Sequence, residues 1–315
     1  MERRRLGSSE LMVGPLAFGG NVFGWTVDEK AGFDLLDAFT ASGLNLIDTA
    51  DIYTRWATGK GGESETIIGA WMKARRNRDK VVIATKVGME MGAQEKGLSR
   101  RWITTAVEDS LKRLQTDYID LYQAHTDDAS TPQEETAAAF DDLVKAGKVR
   151  VLGASNFSAS RLSGALDASR VKGLPRYQSL QPHYNLYERA AFENDAQSVC
   201  VAENVGVIPY YPLASGFLSG KYRSQADFAK SPRGGGMAKF MNSRGFRILD
   251  ALDDVARRVD ATSARVALAW LMQRPAVVAP IASATSRSQL DELVKATQLK
   301  LDAPAVEALD RASAP

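Results

Sequence analysis

The chain has 315 residues, enough for one large barrel or two ordinary domains. Apolar residues make up 44% and charged residues 25%, and the formal net charge is +2 with no long block of one sign, which argues against a polyanionic partner, a membrane surface or a disordered tail. No run reaches the roughly 18 apolar residues of a membrane span, and one cysteine excludes an internal disulfide framework. We therefore expect a cytoplasmic protein with a small-molecule partner and with no nucleic-acid or membrane partner. The sequence does not indicate an oligomeric state.

Eight apolar runs alternate with amphipathic helical stretches, the pattern of βα units around a parallel sheet. The runs lie at 16–19, 44–48, 81–86, 119–125, 151–155, 179–182, 207–210 and 277–281. Ahead of them, residues 3–16 indicate two short strands around Gly7, Ser8 and Ser9, a hairpin at the barrel floor. The pattern predicts one α/β domain over residues 1–315, a (β/α)8 TIM barrel with long loops at its C-terminal face.

Two of the predicted helices carry signals at their ends. Ser99 is the expected cap of the helix that follows the third strand. In the next helix Thr131 is the expected cap, with Pro132 at the first helical position, Glu134 completing a capping box and Gly147 after the last turn.

Two segments interrupt the alternation. Residues 215–245 hold few apolar residues, a glycine triplet and many charges, which predicts a long loop after strand seven. A shorter insertion at 53–64 follows strand two on the same face. Loops at this end of a barrel commonly carry function.

Ionisable side chains end three successive predicted strands. Asp48 ends the second, with Tyr53 shortly beyond it, Lys86 ends the third and His125 the fourth. Reduction of a carbonyl needs a proton donor for the developing oxyanion, and a tyrosine beside an ammonium, which lowers the phenol pKa, can be that donor. Asp48 would keep a buried Lys86 charged, and His125 could hydrogen-bond the carbonyl oxygen. Alternatively, Asp48 and Lys86 form a structural ion pair while Tyr53 and His125 cap strands.

Polar groups also end strands five to seven. Ser155 and Asn156 close strand five and Gln181 closes strand six, which provides hydroxyl and amide groups able to hold a carboxamide. Ser155 and Asn156 could instead begin a helix-capping turn. Tyr210, at the end of strand seven, reads on its own as a core aromatic residue.

One glycine-containing turn could wrap a pyrophosphate. The backbone of Leu213, Ser215 and Gly216 allows close approach, and Lys221 offers a point charge. A mobile surface loop is the alternative.

A second phosphate site is indicated at the last strand-to-helix junction. Ser283, Thr285 and Arg287 would place a phosphate at a helix N-terminus beside a guanidinium. Alternatively, Arg287 is a solvated residue of the first helical turn.

Three aromatic residues follow strands one and two, on the predicted catalytic face. Phe23, Trp25 and Trp56 are expected to form a substrate-binding wall. No metal site is expected, because two histidines and one cysteine cannot make the usual zinc ligand set.

Five segments in order along the chain resemble the signature segments of the aldo-keto reductase superfamily, especially its bacterial members with the GGNVFGW loop. They are IDTADIY, LSRRWITTAVEDSLKRLQTDYIDLYQAH, GASNFS, SLQPHYNL and YYPLASGFLSGKY. The resemblance implies an eight-stranded barrel that binds extended NADPH and reduces aldehydes or ketones. It makes Tyr53 the general acid, tuned by Lys86 and Asp48, and His125 the residue that orients substrate.

The resemblance also assigns cofactor contacts. It implies that Ser155, Asn156 and Gln181 hold the nicotinamide amide, that Tyr210 stacks on the ring, and that the 283–287 junction binds the adenosine 2′-phosphate. Gln289 would lie near adenine. The chain departs from the family at two positions, since Thr285 stands where a basic residue is frequent and Leu293 where asparagine is frequent. A moderate preference for NADPH follows, with NADH possible.

The leading hypothesis is a reductase that transfers hydride from NADPH to an aldehyde, ketone or oxo-sugar, reversibly with the alcohol. A nucleotide-sensing regulatory subunit that resembles potassium-channel β subunits is one alternative. A barrel enzyme that acts on phosphorylated sugars without a nicotinamide is another. The substrate itself is not predicted, because long loops surround the site.

Overall fold

The structure, a computed structural model, describes residues 2–314. Its strands are β1 (Arg4–Arg5), β2 (Met12–Val13), β3 (Ala17–Gly19), β4 (Leu46–Asp48), β5 (Val82–Val87), β6 (Ile119–Ala124), β7 (Val149–Ser155), β8 (Tyr177–Gln181), β9 (Gly206–Val207) and β10 (Ile281–Ala282). Its α-helices are α1 (Glu29–Ala41), α2 (Arg55–Thr58), α3 (Glu63–Arg75), α4 (Arg100–Leu114), α5 (Gln133–Lys145), α6 (Ala159–Lys172), α7 (Ala190–Glu193), α8 (Ala196–Ala202), α9 (Ser243–Arg258), α10 (Ser263–Met272), α11 (Arg287–Ala296) and α12 (Ala303–Ser313). None of the helices in this range is both long and apolar enough to cross a membrane.

Eight parallel strands form the central sheet, in the order β10-β3-β4-β5-β6-β7-β8-β9. The two edges meet through a parallel bridge between Val207 and Val277. There the Val207 amide donates to the Ala276 carbonyl at 2.8 Å, and the Val278 amide donates to the Val207 carbonyl at 2.8 Å. The sheet thus curls into the predicted (β/α)8 barrel.

The predicted hairpin is present as β1 and β2, with Arg4 opposite Val13. Leu6, Leu11 and Val13 are buried in the same cluster as the lowest residues of the barrel strands. The Arg4 guanidinium donates to three carbonyls in the 272–278 segment. The hairpin therefore closes the floor of the barrel, as expected.

Side-chain alternation along the strands separates the apolar floor from a polar upper layer. Floor residues include Leu46, Val82, Leu121 and Val151. Two or four positions further along the same strands come the buried polar residues Asp48, Lys86, Gln123 and Ser155. Because successive side chains of a strand point to opposite faces, these polar residues share the barrel interior with the floor. The intervening residues, such as Ile47 and Ile83, pack outward in the main core.

The last two barrel strands are shorter than predicted. β9 ends at Val207, and β10 begins at Ile281 although a strand was expected over 277–281. Pro209 and Pro280 interrupt these runs, and proline has no N–H to donate to a ladder. Pairing resumes where the Ile281 amide donates to the Pro209 carbonyl at 2.9 Å.

The two predicted helix caps have different outcomes. Ser99 caps α4 and accepts from the Trp102 amide. The Thr131 cap and the box with Glu134 are wrong, because α5 begins one residue later and its N-cap is Pro132, which has no side-chain cap. The Thr131 hydroxyl donates instead to Asp128 at 2.6 Å. Gly147 follows the helix with φ of 72°.

The segment predicted as a long loop at 215–245 is a sequence of short 3-10 helices. They span Ala214–Ser219, Gln225–Lys230, Gly234–Gly236 and Ala238–Phe240, and α9 already begins at Ser243. Its few apolar residues explain the order, because Phe217, Leu218, Tyr222 and Phe240 are buried in the main core.

Candidate active site

Lys86 stands at the centre of the upper layer with no exposed surface. Its Nζ lies 2.8 Å from Asp48 Oδ2, 2.7 Å from the Thr49 carbonyl and 2.9 Å from the Tyr53 hydroxyl. An ammonium has three N–H donors, and these three oxygens match them one for one. The Tyr53 oxygen therefore accepts a hydrogen bond from Lys86.

Asp48 is the counter-ion of this ammonium and is 2% exposed. Its second oxygen, Oδ1, accepts from the Gln181 amide at 2.9 Å and lies 3.4 Å from Gln123 Nε2. A buried ion pair persists when its remaining lone pairs are hydrogen-bonded. Gln181 was predicted as a cofactor contact; in the structure its amide holds the counter-ion. Gln123 was not predicted, although a polar residue in an apolar strand two positions before His125 was a usable signal.

Tyr53 keeps its proton in this structure. Burial penalises the phenolate and Asp48 opposes it, so both hold the pKa of Tyr53 well above its ordinary value. The expectation that Lys86 holds this pKa below its ordinary value is wrong. Burial lowers the pKa of Lys86, against the opposing effect of Asp48. The nearest protein acceptor for the phenol proton is Asp48 Oδ2 at 3.3 Å, a long hydrogen bond to an oxygen already bound to Lys86.

His125 lies beside Tyr53, with 6.1 Å between ring centroids and an interplanar angle of 71°. Burial and the nearby ammonium of Lys86 hold the pKa of His125 well below its ordinary value, so the imidazole is neutral. The structure therefore brings Asp48, Tyr53, Lys86 and His125 together at one rim, as predicted. A neutral imidazole can donate one N–H without adding charge.

The polar residues that close strands five to seven adjoin this group. Asn156 has φ of 59°, and its amide donates to the His125 carbonyl at 2.9 Å. The Tyr210 hydroxyl donates to Asn156 Oδ1 at 2.8 Å, and the Ser155 hydroxyl donates to the Gln181 carbonyl at 2.9 Å. Ser155, Asn156, Gln181 and Tyr210 thus form one connected network. The N-cap of α6 is Ser158, so neither Ser155 nor Asn156 caps this helix.

The predicted pyrophosphate turn forms a tight, left-handed stretch of backbone. Ser215 and Gly216 have φ of 57° and 99°. A Cβ at Gly216 would lie 3.3 Å from the Lys221 ammonium, so that charge stands directly over the turn. Leu213 immediately precedes the turn, and its carbonyl accepts from the Gly216 amide at 2.8 Å.

The second predicted phosphate site is the N-terminus of α11. Arg287 is exposed and bonds Asp291 one turn along at 2.9 Å, while Ser283 donates to Asn21 at 2.7 Å. Gln289 folds back to accept from the Thr285 amide at 2.9 Å. In this conformation Gln289 closes the helix end and does not extend outward.

Leu293 is 5% exposed and belongs to the main core. It therefore presents no polar group at the position where asparagine is frequent in the family.

Two of the three aromatic residues predicted to form a substrate wall lie together near Tyr53. Trp25 and Trp56 contact edge to face with centroids 5.9 Å apart, and they are 36% and 53% exposed. Trp56 also lies 6.1 Å from the Tyr53 ring. Phe23 is not part of this wall: it is fully buried and stacks on Phe18 at 5.3 Å. The 3-10 turn over Gly20–Val22 directs its ring into the core.

A second buried polar cluster, which sequence reasoning missed, lies on the outer side of the same strands. Glu65 of α3 accepts from the Thr85 hydroxyl at 2.5 Å and from Arg113 of α4 at 2.7 Å. Two buried oxygens here, Asp51 Oδ2 and the Tyr122 hydroxyl, have no hydrogen-bond partner within residues 2–314. The only sequence signal was a second carboxylate three residues after Asp48. No group of His, Cys, Asp or Glu in the described range is arranged to hold a metal ion.

The structure is a (β/α)8 barrel with Asp48, Lys86 and Tyr53 hydrogen-bonded together at one rim. The model of the Aldo/keto reductase family matches residues 15–314, and the chain belongs to this family. It is 35% identical to "Uncharacterized oxidoreductase YrpG" of Bacillus subtilis, over 96% of this chain and 93% of that one. It is 34% identical to "Aldo-keto reductase AMT2" of Alternaria alternata, over 95% and 88%. It is 33% identical to "Probable voltage-gated potassium channel subunit beta" of Arabidopsis thaliana, over 95% and 92%.

Proposed function

We propose that this protein is an NADPH-dependent reductase of aldehydes, ketones or oxo-sugars, reversible with the alcohol, in which Tyr53 is the general acid. The observation that carries the proposal is the position of the Lys86 ammonium, 2.9 Å from the Tyr53 oxygen and 2.8 Å from Asp48. A structural ion pair alone does not need a phenol as its third partner. The family generally uses NAD(P)H, and NADPH, when bound, supplies the hydride.

Tyr53 is suited to give up a proton only when a better acceptor arrives. Its pKa is raised, so the phenol is protonated before reaction, as a general acid must be. Its oxygen already accepts from Lys86, and its O–H makes only the long hydrogen bond to Asp48 Oδ2 at 3.3 Å, which a substrate oxygen would replace. As that proton moves, the ammonium of Lys86 stabilises the phenolate that forms, and Asp48 keeps the ammonium in place.

His125 would position the substrate. Its neutral imidazole lies beside the phenol and can donate to the same carbonyl oxygen. Two donors on one oxygen fix the carbonyl plane and stabilise the charge that develops there.

The residues present fit a dinucleotide. Ser155, Asn156 and Gln181 offer hydroxyl and amide groups to a carboxamide, and Tyr210 presents a ring beside them. The left-handed turn at Gly216 leaves no Cβ between the backbone and an approaching pyrophosphate, and Lys221 stands over it.

For the adenosine 2′-phosphate we propose Ser283, Thr285 and Arg287 at the start of α11, with Gln289 near adenine. The guanidinium of Arg287 is bound to Asp291 through one nitrogen only, so its other N–H groups remain for a phosphate. We expect tighter binding of NADPH than of NADH, which titration of the two cofactors measures.

Tyr53→Phe tests the proposal. It removes the acidic proton and keeps the ring, so kcat should fall about 10²- to 10⁴-fold while NADPH affinity changes little. The assay follows loss of NADPH absorbance with glyceraldehyde and 4-nitrobenzaldehyde, and cofactor affinity is read by fluorescence titration. Tyr118→Phe is the matched control, because this half-buried tyrosine directly precedes β6, at the opposite end of that strand from His125. Full activity in Tyr53→Phe would refute the assigned acid, and no NADPH oxidation by the wild-type protein with any carbonyl would refute the reductase.

A nucleotide-sensing regulatory subunit is the second candidate, because one relative carries the name of a potassium-channel β subunit. The two candidates share the cofactor site and differ in turnover. Tight NADPH binding, negligible turnover with every carbonyl, and a stable complex with a membrane partner would favour the sensor. Multiple turnovers at cofactor-saturating concentration would favour the reductase.

A further inference from the structure

Aromatic rings connect Tyr53 to the outer rim of the site. Trp56 lies 6.1 Å from Tyr53, and Trp25 lies 5.9 Å from Trp56. Beyond them the guanidinium carbon of Arg233 lies 5.8 Å from the Trp25 ring centroid. Each of these three distances is typical of a direct ring contact. The Arg233 guanidinium therefore lies at the far end of a continuous aromatic surface that begins at Tyr53.

The backbone that carries Arg233 is held in a specific turn. The Arg233 amide donates to the Ser231 hydroxyl at 3.3 Å, and that hydroxyl bonds the buried Tyr222 hydroxyl at 2.5 Å. The next residue, Gly234, cannot accept a side chain, because a Cβ there would overlap the Phe228 carbonyl oxygen. The packed structure therefore holds the backbone at Arg233, and the guanidinium lies over the Trp25 ring.

Arg233 has no carboxylate partner within salt-bridge distance among residues 2–314, unlike Arg223 and Lys230 of the same segment. Arg223 is paired with Asp253, and Lys230 with Asp227. A guanidinium is a donor-only fork that matches carboxylate and phosphate oxygens, and a half-buried one with no anion is poised to bind one.

We propose that Arg233 determines specificity for carbonyl substrates whose far end carries an anionic oxygen group, a carboxylate or a phosphate. The carbon body of such a substrate would lie along Trp56 and Trp25, with its carbonyl at Tyr53. This inference rests on the reductase function proposed above and names the substrate class of that site. Neutral carbonyl compounds would bind the same aromatic surface without the charged contact.

The test compares three aldehydes of similar shape, 4-carboxybenzaldehyde, 4-formylphenyl phosphate and the neutral methyl 4-formylbenzoate, with wild-type protein and Arg233→Gln. We expect the wild-type protein to favour at least one anion over the ester by about tenfold in kcat/KM, as one charge-assisted contact would give. Arg233→Gln should lose that preference and keep its activity on the ester. The anionic aldehyde whose kcat/KM falls more in Arg233→Gln shows whether carboxylate or phosphate is the recognised group.

Lys239→Gln is the matched control. It removes a cation of the same segment that has no carboxylate partner in the described range and that lies 4.7 Å from the ring centroid of Phe240. Its selectivity should equal that of the wild-type protein. An equal loss in both variants would overturn the inference, because it would reflect net charge alone.

Binding separates the failure of this inference from the failure of the reductase. Quenching of tryptophan fluorescence gives the affinity of each aldehyde without turnover, and NADPH affinity is measured in parallel. Anion affinity that depends on Arg233 supports the inference even if no NADPH is oxidised, an outcome that would refute only the reductase. Equal affinity for anions and ester, or a loss in Arg233→Gln confined to NADPH affinity, overturns the inference and leaves the reductase intact.

Discussion

Asp51 is a buried carboxyl group whose ionisation opposes folding. It is 2% exposed, its Oδ1 accepts from the Ile52 amide at 2.7 Å, and its Oδ2 has no partner within residues 2–314. Burial, and then the charge of Glu65, raise the pKa of Asp51 to about 8 from 3.8. At neutral pH the folded protein therefore holds a proton on Asp51 that the unfolded chain has released.

The sign of the effect on stability follows from this difference. Where the folded state binds the extra proton, the free energy of unfolding falls as pH rises, here between about pH 4 and pH 8. One proton gives a slope of up to about 1.4 kcal/mol per pH unit. Between pH 5 and pH 7 this single group should therefore cost roughly 2 to 3 kcal/mol.

Asp51→Asn removes the ionisation and keeps an oxygen for the Ile52 amide. Urea denaturation at pH 5, 6 and 7, followed by tryptophan fluorescence, should show that the variant loses less stability with rising pH than the wild-type protein. The difference between the two proteins should widen by roughly 2 to 3 kcal/mol over this range. Asp117→Asn, at an exposed position, is the control and should follow the wild type. Parallel pH dependences for Asp51→Asn and the wild type would refute the assignment of a buried proton.

Two further predictions concern the rim. Lys86→Met leaves Asp48 buried without its cation, so the free energy of unfolding should fall by about 3 to 5 kcal/mol and turnover should be lost; unchanged stability in urea would contradict the ion pair. Gly234→Ala forces a Cβ onto the Phe228 carbonyl and should speed tryptic cleavage in the 225–240 segment, whereas Gly235→Ala, which meets nothing within 4 Å, should not; equal cleavage rates would contradict the packed turn.

The fold and the tetrad were predictable because they depend on local pattern. Period-two burial in the strands places Asp48 and Lys86 inside the barrel, and parallel strands bring their C-terminal ends to one rim. His125 follows the same rule. The displaced eighth strand was not predicted, because the run at 277–281 is apolar and only its pairing shows that Pro280 delays the ladder.

The features that could not be predicted from the sequence depend on contacts between distant elements. Phe23 was expected to line the site, yet its ring stacks on Phe18 inside the core. The local sequence of its loop does not indicate this side-chain orientation. The pKa of Tyr53 was expected to fall because of Lys86, whereas burial and Asp48 outweigh the ammonium. Arg233 lies over Trp25 although the two residues are more than 200 positions apart in the sequence.

The two buried polar clusters act on the same ammonium from opposite faces of one strand. Thr85 points outward to Glu65, and the next residue, Lys86, points inward to Asp48, so one backbone step separates the two sets. Burial lowers the pKa of Lys86, and the groups that oppose this are Asp48 first, then Asp51 and Glu65. Asp51 contributes a negative charge only as it ionises near pH 8. The pKa of Lys86, the ammonium that contacts Tyr53, therefore depends also on residues of the outer cluster, behind the strand.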